Sequence, residues 1–293
     1  MITDEEFCGS NDLKRRIGEA VIDGSLFQAI LLCGERGTGR NLLARLIAAD
    51  YLNDLNRLTL RNEHPDCLIL CGAGASGEIP TDDVRTTVYE TNKSAVMTDG
   101  RRAVIIENAA NLNKSSATAL LKTLEQPPGG VIFLITAASE SDVLDTIKSR
   151  CVTFFITPPS VRECIDFVSA KRNEEDEAGV EKLSALFRGR IGLVLKALGQ
   201  PEFKDSVLRA EKFVKGYTHA DKLSMLCALE SAKDRKTLAD TLFIAVFFLS
   251  EHEKDGKIIG AIKLIEKMKE DLYKNVSPKL FSTVLIKRLS NAN

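Results

Sequence analysis

The sequence predicts an α/β domain, a parallel sheet with helices on both faces, followed by a small helical domain and an all-α C-terminal domain. Three observations carry that expectation. Short apolar runs alternate with amphipathic helical segments as far as Ile156. A glycine-framed turn, Gly34-Glu-Arg-Gly-Thr-Gly-Arg-Asn41, sits between a strand and a helix. After Pro158-Pro159 no strand pattern recurs. Alternating β and α units bury a parallel sheet between helical layers.

In order along the chain, Leu13, Ile17 and Val21 share one helix face, and Gly24 ends that helix. Ala29–Cys33 reads as a buried strand, and Leu42, Leu43, Leu46 and Ile47 as the core stripe of the next helix. Asp66–Cys71 is a second strand, on which Cys67 and Cys71 lie four apart and face the same side. Pro80 suits the first turn of a helix running to about Asn92. Arg102–Ile106, Val131–Ile135 and Val152–Ile156 supply further strands. Between them, Leu120, Leu121 and Leu124 bury one side of a helix stopped by Pro127-Pro128, and Lys122 and Glu125 can pair one turn apart.

Beyond Pro159, the segments Val161–Lys171, Val180–Phe187 and Ile191–Leu198 read as three short helices. The charged run Arg172–Glu177 between the first two reads as a solvated loop or helix end. Gly199-Gln-Pro201 is a second break, and longer amphipathic helices follow, with apolar spacing such as Ile258, Ile262, Ile265 and Met268. The expected domains are therefore residues 1–158, 159–201 and 202–293.

Composition narrows the function classes. With 44% apolar and 28% charged residues the chain has the make-up of a globular protein. No apolar run approaches the ~20 residues a membrane span needs; Leu242–Leu249 reads as a buried helix segment. The acidic start, Met1-Ile-Thr-Asp-Glu-Glu6, has no apolar secretory core behind it, which points to the cytoplasm. Cys33, Cys67 and Cys151 lie at or beside apolar strands and read as buried free thiols, and no second Cys or His pair follows Cys67 and Cys71 at zinc spacing, so no metal is expected. A net charge of −1 argues against a strong autonomous grip on nucleic acid.

The glycine turn has the frame of a phosphate-binding loop, GxxxxGK[ST], whose amides cradle phosphates, whose Lys reaches the outer phosphates and whose hydroxyl holds magnesium. Gly34 and Gly39 keep the frame, with Gly37 a further candidate glycine inside the loop, but Arg40 stands at the Lys position and Asn41 at the hydroxyl position. Arg is a planar fork rather than a compact ammonium, a poor substitute in a tight loop. The apolar strand that ordinarily ends in Asp-Glu ends here in Glu107-Asn108, and Asn108 cannot act as a base. The three glycines are equally sufficient as a tight strand-to-helix turn.

The segments Ser115-Ser-Ala-Thr-Ala-Leu-Leu-Lys-Thr-Leu-Glu-Gln-Pro-Pro128 and Thr146-Ile-Lys-Ser-Arg-Cys151, with the strands around them and His64-Pro-Asp66, resemble the clamp-loader ATPases of the AAA+ family. Within it they resemble the delta-prime branch of bacterial DNA polymerase III clamp loaders. The likeness is strong over residues ~25–158, weak through Arg188-Gly-Arg-Ile-Gly192, and thereafter rests on length and helicity. Thr118 stands where the family commonly has Asn, and a four-cysteine zinc insert usual in the family is missing from Asn53–Glu63.

The resemblance implies an AAA+ domain, a helical lid and an oligomerisation collar over the three expected domains. It implies that Arg150, with Ser149 and Cys151, is an arginine finger reaching the ATP of a neighbouring subunit. The polar residue the family places beyond the next strand is replaced by Ala137 and Ala138, and its sensing arginine by Gly192, with Arg190 nearby. The implied function is a non-catalytic subunit with no cofactor of its own. Its implied partners are gamma/tau-type ATPases and delta, with the sliding clamp and primer-template DNA engaged through the complex, and no membrane. A gamma-like active ATPase and a stand-alone nucleic-acid-binding AAA+ module are the alternatives.

Overall fold

Five strands form the sheet, and each is short and apolar because helices cover both of its faces. In the computed structural model, which describes residues 2–72, 77–98, 100–172, 177–251, 256–273 and 276–291, the order is α1 (Asn11–Ile22), β1 (Ala29–Cys33), α2 (Arg40–Tyr51), α3 (Leu58–Arg61), β2 (Cys67–Leu70), α4 (Thr81–Thr91), β3 (Arg102–Ile106), α5 (Lys114–Glu125), β4 (Val131–Ala137), α6 (Asp145–Lys148), β5 (Val152–Phe155) and α7 (Val161–Arg172). The strands are all parallel, in the spatial order β2-β3-β4-β1-β5. Every residue of β1, β3 and β4 is buried. Successive residues still divide between the two faces. Leu31, Val104, Ile106, Phe133 and Ile135 pack with α5, while Ile30, Leu32, Ile105, Ile132 and Leu134 pack with α1 and α2.

The chain divides into two compact units, Met1–Asn173 with Arg188–Gly192, and Glu174–Phe187 with Leu193–Asn293. The second carries α8 (Glu177–Leu186), α9 (Ile191–Gly199) from Leu193 onward, α10 (Pro201–Thr218), α11 (Lys222–Glu230), α12 (Arg235–Ser250), α13 (Gly256–Lys269) and α14 (Pro278–Asn291). Two of its helices, α11 and α12, start where short acidic side chains satisfy the first free amides. Asp221 accepts from the Leu223 and Ser224 amides, both at 3.1 Å, and Asp234 from Thr237 at 2.7 Å. The interior is aromatic: Phe187 meets Phe247 edge-on at 5.4 Å and lies 6.3 Å from Phe203. Among the described residues this unit has no strand, as the sequence predicts, and no helix is long and apolar enough to cross a membrane.

Three local expectations need correction. Leu42 is exposed rather than part of the stripe of α2; the small Ala44 and Ala48 occupy the buried positions beside Leu43, Leu46 and Ile47. Strand β2 ends at Leu70, so Cys71 lies beyond it, exposed, and shares no strand face with the half-buried Cys67. Burial pushes the Cys67 thiol up to about 12, which keeps it protonated. Glu125 pairs with Arg150 instead of with Lys122. Residues 173–176 of the expected charged loop lie outside the described residues.

The His64-Pro-Asp66 step explains itself in structural terms. Asp66 is fully buried and accepts amide hydrogens from Val96 at 2.7 Å, Met97 at 2.8 Å and Thr98 at 3.2 Å, with Arg102 Nη2 at 3.4 Å. His64 Nδ1 accepts from the Asp66 amide at 3.1 Å. One carboxylate thus fixes the segment entering β3. Burial alone would raise its pKa, but the amides and Arg102 outweigh burial and hold it below the ordinary 3.8.

Removing this carboxylate leaves three amides without their acceptor and the buried Arg102 without its counter-ion, so Asp66→Ala is expected to lower the unfolding free energy by about 3–5 kcal/mol in urea titration. The folded carboxyl binds protons less readily than the unfolded one. Its stabilisation is therefore full above the ordinary 3.8 and lost as pH falls below it. Asp66→Asn is expected to flatten the acid limb of the stability curve; an acid limb as steep as wild type would place that sensitivity elsewhere.

Candidate functional site

In an open parallel sheet, the crevice that takes ligands lies beyond the carboxyl ends of the strands, where the strand order reverses. Strand β1 lies between β4 and β5, and the residues that follow β1, β3 and β4 are Gly34, Glu107 and Ala138. The glycine loop therefore stands where the sequence puts it. Gly37 and Gly39 have φ of +92° and +86°, values that favour glycine, and Gly39 precedes the first residue of α2. A Cβ on Gly34 would lie 2.7 Å from Thr38 Oγ1.

The loop is occupied by its own chain. Arg40 folds back so that Nη1 donates to the Gly34 carbonyl at 2.5 Å, and burial pulls its pKa down. Asn41 Oδ1 accepts from Thr136 Oγ1 at 2.8 Å, and Thr136 Oγ1 in turn accepts from the Asn108 amide at 2.9 Å. The Asn108 side chain donates to Asn111 Oδ1 at 3.0 Å. Glu107 is paired with Arg45 of α2 at 2.6 Å, both largely buried. The positions that would hold magnesium and polarise water are thus joined to one another by intrachain bonds.

Two further segments cover the loop. Phe7 is buried against Gly39, close enough that a Cβ there would sit 2.8 Å from the ring. The Gly192 amide donates to the Gly37 carbonyl at 3.0 Å, and a Cβ on Gly192 would be just 3.0 Å from the same oxygen. Any side chain at 192 therefore needs the loop to give way. Arg190 is paired with Glu35 of the loop.

Arg150 is elsewhere. It precedes β5, the edge strand parallel to β1, so it stands at the opposite end of the strands from Gly34. With Val152 opposite Ile30 in register, the offset from Gly34 is roughly 20 Å along the strands at ~3.3 Å per residue. Arg150 is therefore not part of this chain's own loop. Its Nε donates to Glu125 Oε1 at 2.9 Å and its Nη2 reaches the same oxygen. Its Nη1 donates to the Thr146 carbonyl at 2.7 Å and to Ser149 Oγ at 3.1 Å. Cys151 packs against the α5-side core, and burial pushes its thiol up to about 12. It anchors the backbone and stays protonated.

Sequence reasoning located the loop, Glu107 and Arg150 but missed four residues. Thr136, just before Ala137 and Ala138, is the hydroxyl that bridges Asn41 and the Asn108 amide; the signal was there, a lone hydroxyl in the apolar run Val131–Ala137. Arg45, Phe7 and Glu125 had none, since each acts across more than 20 residues of chain. Among the described residues no group of His, Cys, Asp and Glu is arranged to hold a metal.

A family described as DNA polymerase III, delta subunit, matches residues 9–160. The chain is 32% identical over 173 residues to the DNA polymerase III subunit delta′ of Pseudomonas aeruginosa, covering 55% of this chain and 52% of that protein. It is 30% identical over 115 residues to the Escherichia coli subunit delta′, covering 39% and 34%. The match thus spans about half the length of the first relative and a third of the second. The solved structure of a DNA polymerase III gamma subunit-related protein from Thermotoga maritima shares the fold, with a TM-score of 0.62, 18% identity, and coverage of 96% of this chain and 98% of that one.

Thr136→Val keeps shape but leaves Asn41 Oδ1 and the Asn108 amide without their shared partner. Chemical denaturation is expected to show a loss of about 1–3 kcal/mol. A loss below the error of the measurement would mean that the loop residues re-pair elsewhere.

Proposed function

The chain belongs to the DNA polymerase III delta-subunit family, and from that premise we propose that it is a non-catalytic, delta-prime-like clamp-loader subunit that lends Arg150 to the ATP site of a neighbouring ATPase subunit. Its partners on this reading are gamma/tau-type ATPases and delta in the cytoplasm, with the sliding clamp and primer-template DNA engaged through the complex. Residues 1–158 act as the AAA+ domain, 159–201 as the lid and 202–293 as the collar.

The observation that carries the reading is the separation of the two sites. The chain's own loop has Arg40 and Asn41 where Lys and a hydroxyl are needed, both tied to intrachain partners. Arg150 stands apart, before the sheet's edge strand, partly open to solvent. A guanidinium delivered across an interface neutralises charge on the transferred phosphoryl group and is worth roughly 10³–10⁵ in rate, about 4–7 kcal/mol. Its planar fork can span two phosphate oxygens, which an ammonium cannot.

The test is ATP hydrolysis, stimulated by clamp and primed DNA, in a complex reconstituted with either wild-type chain or Arg150→Ala. The wild-type chain alone is expected to turn over no ATP, and Arg40→Lys with Asn41→Thr to remain inactive, because Asn108 still supplies no base. In the complex, Arg150→Ala lowers hydrolysis and clamp loading partially, since one of several ATP sites depends on it, and Arg150→Lys rescues poorly. Equal rates at equal incorporation would remove the finger assignment.

The collar assignment is supported by exposed leucines on the helical unit, Leu208 on α10 and Leu223 on α11, the latter 71% exposed. Replacing both by Glu is expected to reduce co-elution with partner subunits in size-exclusion chromatography, with thermal unfolding unchanged. Undiminished assembly would move the contact off this face.

A further inference from the structure

Arg150 already meets an anion within its own chain. Four of the five N–H groups of a guanidinium are engaged: two by Glu125 Oε1, one by the Thr146 carbonyl and one by Ser149 Oγ. An outside acceptor that takes more than one N–H therefore competes with an occupant. Glu125 is the last residue of α5, held there because Pro127 ends the helix. The C-terminal end of a helix carries partial negative charge, so the backbone adds to the attraction of the carboxylate. On the other side the partly buried Cys151, packed against the core, fixes the main chain one residue past Arg150. Anchor and counter-ion are both fixed, and the guanidinium between them can move.

The pair is weak by construction. The side chains are 28% and 49% exposed, and ion pairs in that setting contribute little because water and salt screen them. A triphosphate, with more charge and several oxygens, outcompetes a single carboxylate. We propose that Glu125 is a positioning residue for Arg150, parking the guanidinium against the end of α5 in the free subunit and yielding it to the phosphates of a nucleoside triphosphate held by a neighbouring subunit. This rests on the finger reading of Arg150. It assigns Glu125 a function opposite in sign to that of a group that pre-organises the finger: removing its charge makes engagement easier.

The experiment is a double-mutant cycle in the reconstituted complex, with ATP as the varied substrate and incorporation of each protein measured. Glu125→Gln is expected to raise kcat/KM by about two- to fivefold, the range an exposed ion pair supports. Glu125→Asp, which keeps the charge, is expected to stay near wild type. In the Arg150→Ala background, Glu125→Gln is expected to change nothing, because the group it restrains is gone. A fall in kcat/KM for Glu125→Gln, no change, or an equal change in both backgrounds would overturn the proposal while leaving the finger intact. If Arg150→Ala alone has no effect, the finger reading itself fails. A merely structural role for Glu125 would show as reduced incorporation with unchanged kcat/KM per complex, which also overturns it.

Discussion

Strand β1 runs between β4 and β5 in a fully parallel sheet, and both faces of that sheet are buried. Most of the first unit follows from this constraint. A parallel neighbour can be reached only by a crossover over one face, so helices must cover the sheet on both sides. The crossovers bring every strand's carboxyl end to the same edge, which is why residues from β3 and β4 meet the glycine loop although both strands end more than 70 residues after β1. The same constraint sends the residue before β5 to the opposite edge, where Arg150 stands.

At the loop the glycine turn is present, with Arg40 and Asn41 at the positions after Gly39. The side chains around it have partners within the chain: Arg40 a carbonyl, Asn41 a threonine hydroxyl, Glu107 an arginine. Such groups cannot be left without partners in a buried setting, because an unsatisfied polar group costs about 1–3 kcal/mol. Once Lys and Ser/Thr are replaced, the new side chains must find internal partners. The result is a loop tied to β3, β4 and α2 by its own hydrogen bonds. Phe7 and the Gly192 amide close it further. At Gly192 the backbone approaches the loop so closely that a Cβ there would lie 3.0 Å from the Gly37 oxygen.

Arg150 obeys different energetics. It is partly exposed, so its ion pair with Glu125 is screened and exchangeable, whereas the pair between Glu107 and Arg45 is largely enclosed. A group that must change partners belongs in the first setting, and a group that must hold a framework belongs in the second. Asp66, with no exposed surface and five donors, is the extreme of the second kind.

The sequence by itself determined the strands, because runs such as Val131–Ala137 are apolar at every position save Thr136, and the helices, because their leucines recur at helical spacing. It also determined what the loop lacks, since Arg40, Asn41 and Asn108 are identities and need no coordinates. It could not rank Leu42 below its neighbours, because four leucine-like positions on one helix exceed the width of the face that is covered. Tertiary structure alone decided the pairings of Arg45 with Glu107, Arg190 with Glu35 and Arg150 with Glu125. The reason is physical: hydrophobic periodicity is local and repeats along the chain, whereas the partner of a charged side chain is set by which strand ends and helix ends the topology brings together, and no spacing in the sequence records that.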